Sequence, residues 1–293
     1  MTGADPAAPL DLHPPWPAVR TAVARALEED LLPLGDLSAA LVPDSARATL
    51  ALVARVDGVV AGQRCVEETY AQLDHSVAVV WYRPDGSRVG PGDVVADLEG
   101  PLRPLLSGER TALNFCGQLS GVASLTRRFV DAVASVDAHV RVLDTRKTVP
   151  GLRALQKAAV RAGGGHNHRG NLSDAVLVKD NHLGALGVAE AVRQARAAWP
   201  GRLVEVECDR AEQVEEACRA GATTVLLDNM TPEQAADCVK LARAVSPDVL
   251  VEVSGNVSLE TAPAYAAAGV DLLSVGALTH SAPTLDVGLD LRS

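Results

Sequence analysis

Residues 203–228 read LVEVECDRAEQVEEACRAGATTVLLD, and this stretch decides the fold. An apolar run at 203–206 predicts a buried strand, and Asp209 precedes a helix at 211–220 that Gly221 ends. A second apolar run at 225–227 then predicts the next strand. The same unit repeats downstream. Thr231-Pro232 opens a helix at 233–245, a strand follows at 249–253, Ser258 opens a helix at 259–268 closed by Gly269, and a last strand lies at 272–275. Strand starts at 203, 225, 249 and 272 are 22, 24 and 23 residues apart, a steady βα beat that predicts a parallel barrel or a doubly wound sheet. Upstream, 140–143 and 175–178 supply two further apolar strands.

Polar residues choose between the two architectures. Asp144, Lys179, Glu207, Asp228, Ser254 and Gly276 each close one of the six strands, and in a βα barrel the strands' carboxyl ends converge on one pocket. Any one of them alone is an ordinary start of a loop; six in succession favour the barrel.

The region before Val140 has another rhythm. Val19, Val23, Leu27 and Leu31 mark a helix ended by Pro33 and Gly35, strands are expected at 48–60, 77–82 and 94–98, and a helix runs from Gly62 to about Asp74. Leu119, Val122, Leu125, Phe129, Val133 and Val136 continue a long helix that begins near Leu105. The expected organisation is a flexible lead at 1–18, an N-terminal α+β domain at 19–121 and an open α/β barrel at 122–293.

Composition narrows the function classes. With 27 basic and 37 acidic residues the net charge is −10, and only 3% of residues are aromatic, which argues against nucleic-acid binding and against an anionic membrane as partner. Five scattered cysteines without a Cys-x-x-Cys fit buried thiols in a reducing compartment, and the lead lacks the basic start and apolar run of a signal peptide, so a cytoplasmic enzyme is expected. Against this acidic background, 141–182 holds eight basic residues and three acids, so it carries +5 and the remainder −15. An anionic ligand is expected there.

The chemistry sits in 144–151 (DTRKTVPG), 163–169 (GGGHNHR) and 179–182 (KDNH). Arg146 and Arg169 suit the two-pronged grip of a carboxylate, whereas Lys147 and Lys179 are compact charges suited to phosphate oxygens. Glu207 and Asp228 end successive strands, and paired carboxylates near a phosphate site point to Mg²⁺ held partly by the substrate's own oxygens; a helix cap and an exposed acid are the plain alternatives. Ser254-Gly255-Asn256 and Gly276 let backbone N–H groups approach a phosphate. His166-x-His168 invites a zinc reading that lacks a third ligand. Both histidines precede a strand, so they reach the mouth only if 163–174 runs the length of that strand and returns.

At these residues the sequence resembles the quinolinate phosphoribosyltransferase family over about 19–291. The resemblance is carried by the three segments above together with 109–114 (ERTALN), 227–229 (LDN), 252–256 (EVSGN) and 274–280 (SVGALTH). It implies an N-terminal α/β domain followed by an open, incomplete TIM-like barrel, in a homodimer whose first domain covers the partner's barrel mouth. It further implies that Arg146, His168, Arg169 and Lys179 line a pyridine dicarboxylate pocket completed by Arg110 from the partner. Lys147, Glu207, Asp228 and the loops at Ser254 and Gly276 then serve phosphoribosyl pyrophosphate and its Mg²⁺. One departure is Gly35-Asp36-Leu37-Ser38, where the family usually has Gly-Asp-x-Thr. Two alternatives remain at this point: a relative acting on another ring carboxylate such as nicotinate, and a non-catalytic binding relative, against which the presence of Lys147, Glu207 and Asp228 counts.

Overall fold

The computed structural model describes residues 11–292. The chain forms two compact units. One comprises the described residues through Arg127, Thr148–Gly164 and those from Ala277 onward; the other comprises Arg128–Lys147 and Gly165–Gly276.

The first unit contains α1 (Trp16–Leu31), β1 (Arg47–Ala54), β2 (Gly58–Val59), α2 (Gln63–Leu73), β3 (Ala78–Trp81), β4 (Arg88–Val89), β5 (Val94–Pro101), most of α3 (Leu102–Ala134) and α4 (Arg153–Ala162). Val19, Val23 and Leu27 of α1 are buried, as their spacing predicts. An antiparallel sheet is built from β3, β5, β1 and the chain's last strand, Val287–Leu291, which pairs with β1 from Leu50↔Leu291 to Ala54↔Val287. Leu50, Leu52 and Leu98 of this sheet share a core with Val66 and Tyr70 of α2 and Leu105 and Leu113 of α3. Burial of such large apolar side chains stabilises the unit by about 1.5–3 kcal/mol each.

Two expectations are corrected here. The lead is fixed from Asp11 onward: Arg161 Nε donates to the Asp11 carbonyl at 2.7 Å, Arg64 Nη1 to the Pro14 carbonyl at 2.7 Å, and the Arg64 guanidinium stacks 4.9 Å from the Trp16 ring. Residues 1–10 of the expected flexible lead lie outside the described residues. The final strand pairs with the first sheet rather than with the barrel strands, and the expected division at 121/122 lies along α3, which runs unbroken for 33 residues.

The second unit is the open, incomplete TIM-like barrel. Its strands β6 (Arg141–Leu143), β7 (Val176–Val178), β8 (Val204–Cys208), β9 (Thr224–Asp228), β10 (Leu250–Ser254) and β11 (Leu272–Ser274) form one all-parallel sheet in the order β6-β11-β10-β9-β8-β7. Helices α5 (Asp180–Leu186), α6 (Val188–Ala198), α7 (Ala211–Ala220), α8 (Pro232–Val245) and α9 (Ala262–Ala267) connect them. As the sequence predicts, Thr231-Pro232 opens α8 and Gly221, at φ +88°, ends α7; Gln234 completes a reciprocal capping box with Thr231. For α7 the N-cap is Arg210 rather than Asp209, whose own N–H is taken by the Gln213 side chain at 2.8 Å. Helix α9 is shorter than 259–268 because Pro263 lacks an N–H and fits only the first turn; Ser258 and Thr261 form a hydrogen-bonded turn ahead of it.

Candidate active site

The segment whose direction the sequence left open runs beside β6 as an extra strand-like turn. His166 N–H donates to the Val142 carbonyl at 2.8 Å, Asp144 N–H donates to the His166 carbonyl at 3.2 Å, and Leu143 and His166 form a parallel bridge. The loop therefore climbs with the strand and delivers His168 and Arg169 to its carboxyl end. Asp144, fully buried, pins it there: Asn167 Nδ2 donates to Oδ2 at 2.6 Å and the His168 N–H to Oδ1 at 2.9 Å. An ionised carboxylate accepting two such bonds is a strong clamp.

Two guanidiniums meet at this end. Arg146, two residues past Asp144, is half-buried, and its Nε is shielded from solvent with no hydrogen-bond partner among the described residues. Arg169 donates from Nη1 to the Ala175 carbonyl at 3.2 Å, and burial together with nearby Arg146 lowers its pKa. Two cations close together in a partly dry place suit an anion with more than one negative group. Lys147, the next residue, is exposed.

Across the mouth, Lys179 follows β7 and its Nζ donates to Glu207 Oε2 on β8 at 2.6 Å. Asp228 ends β9 and lies in register with Ser254 of β10, which is in register with Ser274 of β11. The loops beyond Asp228 and Ser254 interlock. Asn229 and Asn256 both take left-handed backbone, with φ of 57° and 55°, and Asn256 Nδ2 donates to Asn229 Oδ1 at 3.2 Å. Gly255 sits between them at φ +82°, where a Cβ would lie 2.2 Å from Asn229 Oδ1, so only glycine fits. Gly276 lies two residues past β11. The second unit thus gathers Arg146, Lys147, His168, Arg169, Lys179, Glu207, Asp228, Ser254, Gly255, Asn256 and Gly276. Arg110 is an exposed residue of α3 in the first unit and is not among them.

The strand interior holds what the sequence reading missed. Glu205 and Glu252 are 5% and 1% exposed, and Ser274 Oγ donates to Glu252 Oε1 at 2.5 Å. Burial, with the Glu205 carboxylate beside it, pushes the Glu252 carboxyl up to about 8. A signal was available: Glu205 shares the inward face of β8 with Glu207, two residues on, and Glu252 interrupts an otherwise apolar strand. His166 does not complete a zinc set with His168; its buried Nδ1 has no partner among the described residues, and burial lowers its pKa. The five cysteines are free and buried, and burial pushes the Cys116 thiol up to about 12, which keeps it inert. Among the described residues no helix is long and apolar enough to cross a membrane.

Comparison with known proteins places this arrangement. Residues 36–120 match the N-terminal domain of quinolinate phosphoribosyl transferase and residues 122–290 its C-terminal domain. The chain is 45% identical over 281 residues to the nicotinate-nucleotide pyrophosphorylase [carboxylating] of Mycobacterium leprae, covering 94% of this chain and 97% of that protein. It is 41% identical over 255 residues to the Homo sapiens protein of the same name, covering 86% and 85%. The solved structure of the nicotinate-nucleotide pyrophosphorylase from Francisella tularensis superimposes with a TM-score of 0.90 at 36% identity, over 98% of this chain and all of that one. With both domains matched in order over most of its length, the chain belongs to the quinolinate phosphoribosyl transferase family.

Proposed function

We propose that this protein transfers the phosphoribosyl group of phosphoribosyl pyrophosphate to the ring nitrogen of quinolinate and releases pyrophosphate and carbon dioxide, leaving nicotinate mononucleotide. The observation that carries the reading is the pairing of Arg146, whose buried Nε has no partner among the described residues, and Arg169 at the same mouth as the Lys179–Glu207 pair and Asp228. The arginines, with Lys179 beside them, suit a dianion, and Glu207 and Asp228 suit a phosphorylated sugar.

Arg146 and Arg169 grip the two ring carboxylates and so fix the direction of the nitrogen lone pair, which is catalysis by placement. The lone pair forms a bond to the anomeric carbon as the bond to pyrophosphate breaks and takes its electrons. Positive charge develops on the ribose, where Glu207 and Asp228 supply negative charge, and the leaving group gathers negative charge that Lys147 meets. The alkylated ring nitrogen is a cation. It draws in the electron pair left when the neighbouring carboxylate departs as carbon dioxide, and a proton then takes the vacated ring carbon.

Glu207 and Asp228, hard oxygen donors at adjacent strand ends, are a donor set that fits Mg²⁺ completed by substrate oxygens. Bound there, Mg²⁺ neutralises charge on the diphosphate. The working unit in this reading is a cytoplasmic homodimer in which Arg110, exposed on α3, reaches the partner's site.

Phthalate tests the dicarboxylate assignment, since it has both carboxylates and no ring nitrogen to react. It should compete with quinolinate at least ten times more strongly than nicotinate does, because a charged hydrogen bond to the second carboxylate is worth about 1.5–3 kcal/mol. Nicotinate competing as well as phthalate would contradict the two-carboxylate cradle.

A further inference from the structure

His168, which the resemblance places in the dicarboxylate pocket, has both ring nitrogens committed inside the chain. Its Nδ1 accepts the backbone N–H of Arg169 at 2.8 Å, which requires a lone pair there and puts the ring proton on Nε2. Nε2 lies 3.0 Å from Glu205 Oε2 and 3.6 Å from Glu252 Oε1, so its proton is given to Glu205. The ring is therefore the neutral Nε2–H tautomer. Asp144 holds the His168 N–H, so the backbone is held on both sides of the His168 α-carbon.

The same three side chains bring ligand atoms within 4.8 Å of one another, a spacing that also suits a metal ion. A metal needs the Nε2 lone pair, and the bond to Arg169 leaves that nitrogen protonated. Burial and the neighbouring Glu205 raise the Glu252 carboxyl, which accepts the Ser274 hydroxyl at 2.5 Å.

We infer that His168 is a positioning residue: braced by Glu205, it locks the backbone at Arg169 and aims the Arg169 guanidinium, and neither of its nitrogens touches substrate. The positive charge offered to the dianion then comes from the arginines and Lys179 and not from an imidazolium. This role rests on the quinolinate reading for its kinetic consequence, but the tautomer stands apart from it.

Two measurements test the inference. Histidine-labelled wild-type protein, with the His168 resonances assigned by their loss in His168→Gln, should show Nε2 protonated and Nδ1 bare at pH 7 by long-range ¹H–¹⁵N correlation, with and without quinolinate. A doubly protonated or Nδ1–H ring would overturn it. In steady-state assays, Glu205→Gln keeps an oxygen that accepts the Nε2 proton and should leave the quinolinate KM within threefold of wild type. Glu205→Leu, checked for folding by circular dichroism, should raise that KM at least tenfold while the KM for phosphoribosyl pyrophosphate stays within threefold. A folded Glu205→Leu enzyme with an unchanged quinolinate KM, or one in which both KM values rise together, would also overturn it. Should Glu205→Leu not fold, the labelled wild-type protein still decides the matter. If wild type itself fails to turn over quinolinate, the functional reading falls while the resonance result still judges the tautomer.

Discussion

Arg146→Lys and Arg169→Lys each lower kcat/KM for quinolinate at least tenfold. Both variants keep the positive charge, so the expected loss comes from geometry. A guanidinium presents two parallel N–H groups to a carboxylate, and an ammonium presents a point charge that makes one such bond at a time. Losing one charged hydrogen bond costs about 1.5–3 kcal/mol, and each 1.4 kcal/mol is a factor of ten. Arg146 has the more to lose, since its buried Nε has no hydrogen-bond partner among the described residues. Glu207→Ala serves as the contrast and should act chiefly through the phosphoribosyl pyrophosphate KM or through kcat. Arginine variants with wild-type quinolinate kinetics would mean that the pocket is misassigned.

Mixing two dead proteins should restore activity. Arg110 lies on α3 in the first compact unit and Lys147 in the second. If Arg110 acts in the partner's site, Arg110→Ala and Lys147→Ala are each inactive as homodimers. Random subunit exchange makes roughly half of the dimers mixed, and each mixed dimer holds one site built from two intact halves. Activity should recover to roughly a quarter of wild type after the two are mixed and refolded. No recovery, with exchange proven by differently tagged subunits, would place Arg110 in its own subunit's pocket or in none.

The sequence was most legible where a physical constraint acts locally. Strands buried on both faces are largely apolar and helices between them start and stop within a few residues, so the strands of 203–275, the start of α8 at Thr231-Pro232 and the glycines that end helices are legible directly. What escaped depends on distant partners. The strand Val287–Leu291 alternates weakly and becomes an edge strand only because β1, more than two hundred residues earlier, offers its hydrogen bonds. The segment GGGHNH has no strand propensity, and it follows β6 because Asp144 and Val142 hold its backbone. Pro263 was in plain sight and still shortened a helix that apolar spacing extended.

The site shows the same division. Arg146, Arg169, Lys179, Glu207 and Asp228 stand out in the sequence because strand ends of a parallel barrel converge and because their charges contrast with an acidic chain. Glu205 and Glu252 stayed hidden, since a run read as apolar conceals an acid whose partners lie on other strands. Nothing local in the sequence fixes the tautomer of His168; that follows only once Glu205 and the Arg169 N–H are seen on its two nitrogens.

The central claim is that one mouth both transfers the phosphoribosyl group and removes a carboxylate. Quinolinate labelled with ¹⁴C in the carboxylate beside the ring nitrogen, incubated with the enzyme, phosphoribosyl pyrophosphate and Mg²⁺, tests both at once. Label should leave as carbon dioxide in a one-to-one ratio with nicotinate mononucleotide and pyrophosphate formed. Retention of the label, with nicotinate turned over as well as or better than quinolinate, would contradict the account.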